Sequence, residues 1–481
     1  MQVNLPSFFD YLIIIAYLVI ITLIGILTGG KQKSIKDYFL GADVVPWWAV
    51  CFAIVAAETS TLTFISIPGL AYLTNLNFLQ LTFGYLLGRI IVAFVFLPAY
   101  FEGELSTAYA YLENRFGYKT RSFASIVFMF TRTAADGVRL FATAIPLKLM
   151  LNIDYSLAIL IIGIIALFYT SFGGVRGIIW VDVFQFLIYI GGAIISAVIL
   201  INLIPGGIER IISVSSEFNK LNVINFGFEN GLSGFFNQPY TLISGLIGGA
   251  FLSMASHGTD QLIVQRLLAT KNLKSAQKAI IGSGVIIVFQ FLLFLIVGVL
   301  LFSYYGKLDM RSDEIFPYFI INVIPSGLKG LIIAGLFAAA LSTLAGSISS
   351  LSSATVMDIL IPYFKRFEND KKKLFASRII TLIWAILLIL VAFLFMESSK
   401  AVVEIALSIA SFTYGGLLGT FLLGIVNKKT TQEDALAGFV AGIFVMITVI
   451  TLKLTAWTWF TLIGVLTTMI IGSLLASLQK K

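Results

Sequence analysis

The chain has 481 residues, 59% of them hydrophobic and only 12% charged, about half the charged fraction of a soluble domain. No water-soluble fold has an interior able to absorb that much apolar sequence, whereas a bilayer does. A single Cys rules out an internal disulfide, and the +8 net charge would suggest nucleic acid only if it formed one patch, which it does not.

Apolar stretches of about 20 residues reach across the hydrocarbon. Thirteen occur, at 10–29, 45–73, 76–101, 122–150, 154–173, 178–204, 237–255, 279–305, 328–358, 377–396, 402–426, 433–453 and 457–477. The first has no basic segment before it and reads as a retained span, not a signal peptide. No N-x-[ST] acceptor is present, in keeping with a bacterial protein. An odd number of spans puts the termini on opposite sides, and basic residues prefer the cytoplasmic one. With the N-terminus outside, the inner segments carry Lys31, Lys33, Lys36, Arg115, Lys119, Arg121, Arg176, Arg266, Lys271, Lys274, Lys278, Lys365, Arg366, Lys371, Lys372, Lys373, Arg378, Lys428, Lys429, Lys480 and Lys481, 21 of the 32 basic residues. The outer side holds Lys148, Arg210, Lys220, Lys307, Arg311, Lys329, Lys400 and Lys453. The expectation is therefore N-out and C-in. The basic surplus faces the inner leaflet, and no nucleic-acid role is needed. The longest non-spanning stretches, 205–236 and 256–278, are too short for a separate domain.

Ionisable groups at mid-membrane depth are costly and usually face a cavity or one another. In chain order the first is Glu58, within Ala56-Ala57-Glu58-Thr59-Ser60-Thr61-Leu62-Thr63, which has five polar residues in eight, with Pro68 beyond. This predicts a discontinuous helix, whose free carbonyls suit a cation and whose half-helix N-terminus suits an anion. A hydroxyl-rich helix bonding its own i−4 carbonyls is the plainer account. Arg89 reads as a structural charge held by carbonyls or an acid. Arg132, Asp136 and Arg139 share a helix face by their i,i+4 and i,i+3 spacing. That face either lines a polar pocket or closes on itself as a structural network, and the residues do not decide between the two. The mid-membrane charges sum to three positive and two negative, which leans towards a solute with a carboxylate, although Glu58 and Asp136 also suit an amine. Span 237–255 holds Gly245, Gly248 and Gly249, which would tolerate an interruption, five spans after the first broken one. Phe337-Ala338-Ala339-Ala340-Leu341-Ser342-Thr343 is followed by Ser347, Ser349, Ser350, Ser352, Ser353 and Thr355. Small residues there allow close helix packing. Alternatively, Ser342 and Thr343, at i+3 and i+4 from Ala339, aim two hydroxyls and a carbonyl at one point, hard oxygen ligands suited to an alkali cation.

Six segments stand out in order: Asp37-Tyr38-Phe39 with Pro46-Trp47-Trp48; Ser66-Ile67-Pro68-Gly69; Ala110-Tyr111-Leu112-Glu113-Asn114-Arg115-Phe116-Gly117; Gly173-Gly174-Val175-Arg176-Gly177-Ile178-Ile179-Trp180-Val181-Asp182-Val183-Phe184-Gln185; Thr259-Asp260-Gln261-Leu262-Ile263-Val264-Gln265-Arg266; and Gly416-Leu417-Leu418-Gly419-Thr420-Phe421-Leu422-Leu423-Gly424. Together they resemble the sodium:solute symporter family, which includes sugar, sialic acid, proline, iodide and vitamin transporters. The resemblance implies an all-α integral membrane protein of about thirteen transmembrane helices, with a LeuT-type core of two inverted five-helix repeats, here 45–204 and 237–426, one helix (10–29) before and two (433–477) after. It implies sodium-coupled import by alternating access, with sodium held by the carbonyls of Ala56, Thr59 and Ala339 and the hydroxyls of Ser342 and Thr343. Some members bind a second, more inward sodium through further hydroxyls and the Asp matching Asp182. Here Ala345 and Gly346 supply no side-chain oxygen, so one sodium per cycle is expected; the plainer role of Asp182 is to anchor a loop. Sugar-transporting members carry an aromatic gate and an Asn where Ser253, Ser256 and His257 stand here, which counts against a galactose-like cargo. The solute pocket is expected to draw on Glu58, Ser60, Thr63, Phe78, Gln80, Thr82, Asp136 and Arg139. Sugar acids, amino acids, monocarboxylates, sugars and vitamins all remain open as cargo.

The rival readings are a proton-coupled symporter using Glu58 or Asp136 and a non-transporting solute sensor, a class that usually carries soluble signalling domains. An enzyme is not expected, since one His, one Cys and no HExxH leave no nucleophile–base pair. The expected partners are the solute, sodium and the lipid of a bacterial inner membrane. Neither nucleic acid nor an obligate protein partner is implied.

Overall fold

A computed structural model of the chain describes residues 5–41, 45–103, 105–228, 231–364, 369–396 and 402–478. Lys365, Arg366, Lys400, Lys480 and Lys481 of the charge count lie outside them. Among the described residues the chain is helical throughout, with a single isolated bridge between Val45 and Thr270.

The helices follow the apolar runs. α1 (Phe8–Gly29) starts at Ser7, which forms a reciprocal capping box with Asp10. α2 (Ile35–Leu40) is short. α3 (Trp47–Glu58) and α4 (Thr61–Leu73) divide the predicted 45–73 run at Thr59–Ser60, with a bend of 67°. α5 (Leu79–Glu102), α6 (Ala110–Phe116) and α7 (Tyr118–Leu151) follow. α8 (Tyr155–Leu203) covers two expected spans in 49 residues and kinks at Gly174, whose φ of 56° only glycine adopts freely. α9 (Gly207–Glu217) and α10 (Gly231–Asn237) lie on the long 205–236 connection. α11 (Gly249–Met254) sits between π-helical turns at Ser244–Gly248 and Ala255–Thr259 and leads to α12 (Gln261–Leu268). α13 (Leu273–Tyr305), α14 (Ser312–Asn322), α15 (Leu328–Tyr363), α16 (Asp370–Leu394), α17 (Val402–Val426), α18 (Gln432–Thr451) and α19 (Trp457–Leu478) complete the chain.

Among the described residues eight helices are long and apolar enough to cross a bilayer, nine with α3–α4 counted as one bent span. The protein is a multi-pass membrane protein. Burial ranks the spans. The most apolar window of α15 is 94% buried, against 22% for α1 and α16, so α15 is the central staff and the other two face outward. α15 packs most extensively against α8. Its N-terminus is tied to α1, because Asp10 accepts from the backbone N–H groups of Gly327 at 2.7 Å and Gly330 at 2.8 Å.

The second interruption falls elsewhere than the glycines suggest. Residues 244–259 stay helical through Gly245, Gly248 and Gly249, and the chain turns extended at Asp260, whose carboxylate caps the Leu262 N–H at 2.9 Å. The glycines serve packing instead: a Cβ on Gly84 of α5 would stand 2.2 Å from the Gly245 carbonyl. The segment 256–278 is therefore not an inner loop. It contains α12, all eight of whose residues are buried. Arg266, counted above as a loop charge, is 1% exposed and bonded to Asp182.

Candidate functional site

The break between α3 and α4 is the centre of the site. The last carbonyls of a helix have no intrahelical partner, so the Ala56, Ala57 and Glu58 carbonyls are released where α3 stops. Val55 still receives the Thr59 N–H and hydroxyl, at 3.0 and 2.7 Å. On the other side Ser60 caps α4, its hydroxyl accepting from the Thr63 N–H at 3.4 Å. The negative end of one half-helix thus meets the positive end of the next. α15 closes this gap. The Thr343 hydroxyl lies 3.2 Å from both the Ala57 and the Ala339 carbonyl, and so joins α15 to the break. A void of about 10 Å³ adjoins it, bordered by Ser60, Asp136, Arg139 and Thr343. That is room for one water-sized sphere. Ser342, one residue earlier, donates to Asp182 at 2.6 Å.

Beside the break opens a cavity of about 440 Å³, of a size that suits a small organic ligand. Of the expected solute residues, Glu58, Ser60, Thr63, Phe78 and Arg139 line it. Asp136 stands behind them, accepting from Arg139 at 2.9 Å and paired with Arg132 at 2.6 Å. Gln80 and Thr82 are not brought to it. Gln80 is 1% exposed and spent on the backbone of Asn77, Tyr240 and Asn225, while Thr82 bonds the Leu79 carbonyl at 2.7 Å.

The charges resolve into two neutral groups. Arg89, fully buried, pairs with Glu58 and donates to Ser283 at 2.9 Å. Arg132 bridges Asp136 and Asp260, the latter at 2.9 Å, and Asp260 also accepts from the Tyr414 hydroxyl at 2.8 Å. Asp260, which falls in the 256–278 stretch expected above not to span, thus belongs with the charges beside the break. Three arginines face three carboxylates, and the expected positive excess disappears. What remains is local polarity: the side chains of Arg139 (26% exposed) and Glu58 (23%) are the two charges of these groups most open to the cavity.

The sequence reading did not single out the aromatic wall. Phe78 stacks on Phe291 and leans on Tyr240, which meets Trp457 edge-on, and Tyr85 meets Phe291. Aromatic residues are common in spans, and only the face they occupy distinguishes these. Further down, Asp182 and Arg266 form a fully buried pair at 2.9 Å between α8 and α12. Asp182 is therefore packed inside the bundle and does not anchor a loop.

Two broken helices around a central staff, with uncharged oxygens at one break and a polar-and-aromatic cavity beside it, define a membrane carrier of small solutes. The model of the sodium:solute symporter family matches residues 38–442, and the chain belongs to that family. It is a sodium-coupled symporter, and the family consists of transporters, not enzymes. The chain is 29% identical to the sodium/sialic acid symporter NanT of Aliivibrio fischeri, over 98% of this chain and 93% of that one. It is 29% identical to the human sodium-coupled monocarboxylate transporter 1, over 90% and 72%. A substrate-bound, outward-open structure of a Na+-coupled sialic acid symporter superposes with a TM-score of 0.90 at 27% identity, covering 98% of both chains. A nucleobase-cation-symport-1 transporter shares the fold at a TM-score of 0.56 and 12% identity.

Proposed function

We propose that this chain imports a carboxylate-bearing polar solute with one sodium ion per cycle across a bacterial plasma membrane. The transport core is two inverted repeats, 45–204 and 237–426, flanked by helices 10–29 and 433–477, giving thirteen spans with the N-terminus outside. The carbonyls of Ala56, Thr59 and Ala339 and the hydroxyls of Ser342 and Thr343 hold sodium. Glu58, Ser60, Thr63, Phe78 and Arg139 receive the solute, Asp136 orients Arg139, and Gln80 and Thr82 brace the backbone behind Phe78.

The observation that carries this is the Thr343 hydroxyl, which stands 3.2 Å from both the Ala57 carbonyl at the break and the Ala339 carbonyl of α15. Neutral oxygens converging from two helices suit an alkali cation. The α4 N-terminus and the partly open Arg139 guanidinium suit a carboxylate. The relatives named for sialic acid, monocarboxylate and iodide all carry anions by those names. One sodium rather than two is supported by Asp182, whose charge is already met by Arg266 and whose second oxygen is taken by Ser342. Glu58 is paired with Arg89, and Asp136 with Arg132 and Arg139, so neither carboxylate stands free for a proton-carrying role.

Sodium binding ties the break to α15 and fixes the N-terminus of α4, the solute settles against it, and the core rocks to open inward. One sodium descending about 100 mV and a tenfold gradient supplies roughly 3–4 kcal/mol, a several-hundredfold accumulation. The test is a thermal-shift screen of the purified chain across anionic metabolites, in sodium and in potassium. A carboxylate that stabilises the protein only in sodium supports the reading. Stabilisation that is equal in both salts and follows pH instead overturns it.

A further inference from the structure

We infer that the cavity has a second pole, formed by Glu58 and His257, that demands an O–H or N–H donor from the solute. This rests on the proposed carboxylate pole at Ser60, Thr63 and Arg139. His257, the chain's one histidine, lies on the π-helical turn just before the second break and is 2% exposed. Among the described residues its Nε2 has no hydrogen-bond partner, and it stands 3.4 Å from a Glu58 carboxylate oxygen. Its Nδ1 lies 2.8 Å from the Ser256 hydroxyl and 3.1 Å from the Ser253 carbonyl.

The tautomer follows from these neighbours. If Nδ1 donates to the carbonyl, Nε2 turns a bare lone pair on a carboxylate, which is repulsive. If Nδ1 accepts from Ser256, the Nε2 proton points at Glu58. The second arrangement relieves the repulsion and spends the Ser256 hydroxyl. Glu58 is then held on one oxygen by Arg89 and faced there by His257. Its other oxygen has no partner among the described residues, and the side chain opens into the cavity.

That oxygen only accepts. Water entering the cavity can satisfy it. A solute that displaces the water without offering a donor leaves a charged acceptor unpaired, which costs at least as much as a lost hydrogen bond. A site of this kind rejects the analogue lacking the donor more strongly than an apolar pocket rejects an extra group. The solute class is a carboxylate bearing hydroxyl or ammonium groups. Plain alkyl carboxylates and halides are disfavoured.

The experiment is calorimetric titration of the full chain in sodium with gluconate, N-acetylneuraminate, proline, hexanoate and iodide. At least one of the first three should bind at least tenfold more tightly than hexanoate and iodide, with gluconate and N-acetylneuraminate separating hydroxyl donors from the ammonium of proline. His257→Leu should weaken the tight ligand about tenfold or more and leave the sodium half-saturation in place, which a merely structural loss would also shift. Glu58→Gln, folding permitting, should do the same. Hexanoate binding as tightly as the hydroxylated acids, or His257→Leu weakening every probe equally, overturns the second pole and leaves the carboxylate pole standing. Failure of every carboxylate to bind in sodium overturns the carboxylate reading and this one with it.

Discussion

Gly346→Ala should destabilise the protein through a side chain 80 residues away. A Cβ at position 346 would stand 2.7 Å from Arg266 Nη2, 2.9 Å from Nη1 and 3.2 Å from Cζ. An arginine tip usually steps aside cheaply, but this one is held. Nε and Nη2 donate to Asp182 at 3.1 and 2.9 Å, and Nη1 to the Leu262 carbonyl at 2.8 Å. Asp182 is fully buried, with Ser342 as its other partner. Losing one member of a buried pair costs about 3–5 kcal/mol. A displaced guanidinium that keeps part of its contact costs less, about 2–3 kcal/mol by the same reasoning. Unfolding in detergent followed by tryptophan fluorescence measures it, with Arg266→Gln and the double variant completing the cycle. The second substitution should add little once the first has removed the guanidinium, a coupling of roughly 2 kcal/mol. A neutral Gly346→Ala, or one equally costly in both backgrounds, refutes the account of Gly346 as the hole that houses Arg266.

Asp10→Ala should cost about 2–3 kcal/mol in the same unfolding assay, because it strands the Gly327 and Gly330 N–H groups at the start of α15 together with the cap of α1. Arg89→Leu should be worse than the double variant Arg89→Leu with Glu58→Gln, since only the single change leaves a half-buried carboxylate without its counter-ion; equal losses would mean the pair is incidental.

The break at Glu58–Thr63 was legible because an acid and four hydroxyls have no reason to stand in the middle of a lipid-facing helix. The α15 hydroxyls were legible for a similar reason, though their meeting with the Ala57 carbonyl was not. α12 was hidden. Gln261-Leu262-Ile263-Val264-Gln265-Arg266 has the polarity of a loop, and what permits its burial is Asp182, 84 residues earlier. The same long-range pairing hid Asp260, whose partners Arg132 and Tyr414 lie far off in the chain, and so distorted the charge sum. Gln80 and Thr82 carry groups a solute could use, and only the packed structure reveals that the backbone has already taken them. His257 stood out as the chain's single histidine, but a lone residue type does not name the carboxylate it faces.

The central claim is that sodium sits where α3 breaks against α15. Thr343 tests it most directly, because its hydroxyl reaches carbonyls of both helices. The measurement is a sodium titration of the thermal stability of wild type and Thr343→Ala, at constant ionic strength with potassium as the replacing ion. The account predicts a saturable, sodium-specific stabilisation whose half-saturation rises about tenfold or more in the variant, as expected for loss of one oxygen worth roughly 1–2 kcal/mol. An unchanged half-saturation in Thr343→Ala would place the sodium elsewhere and contradict it.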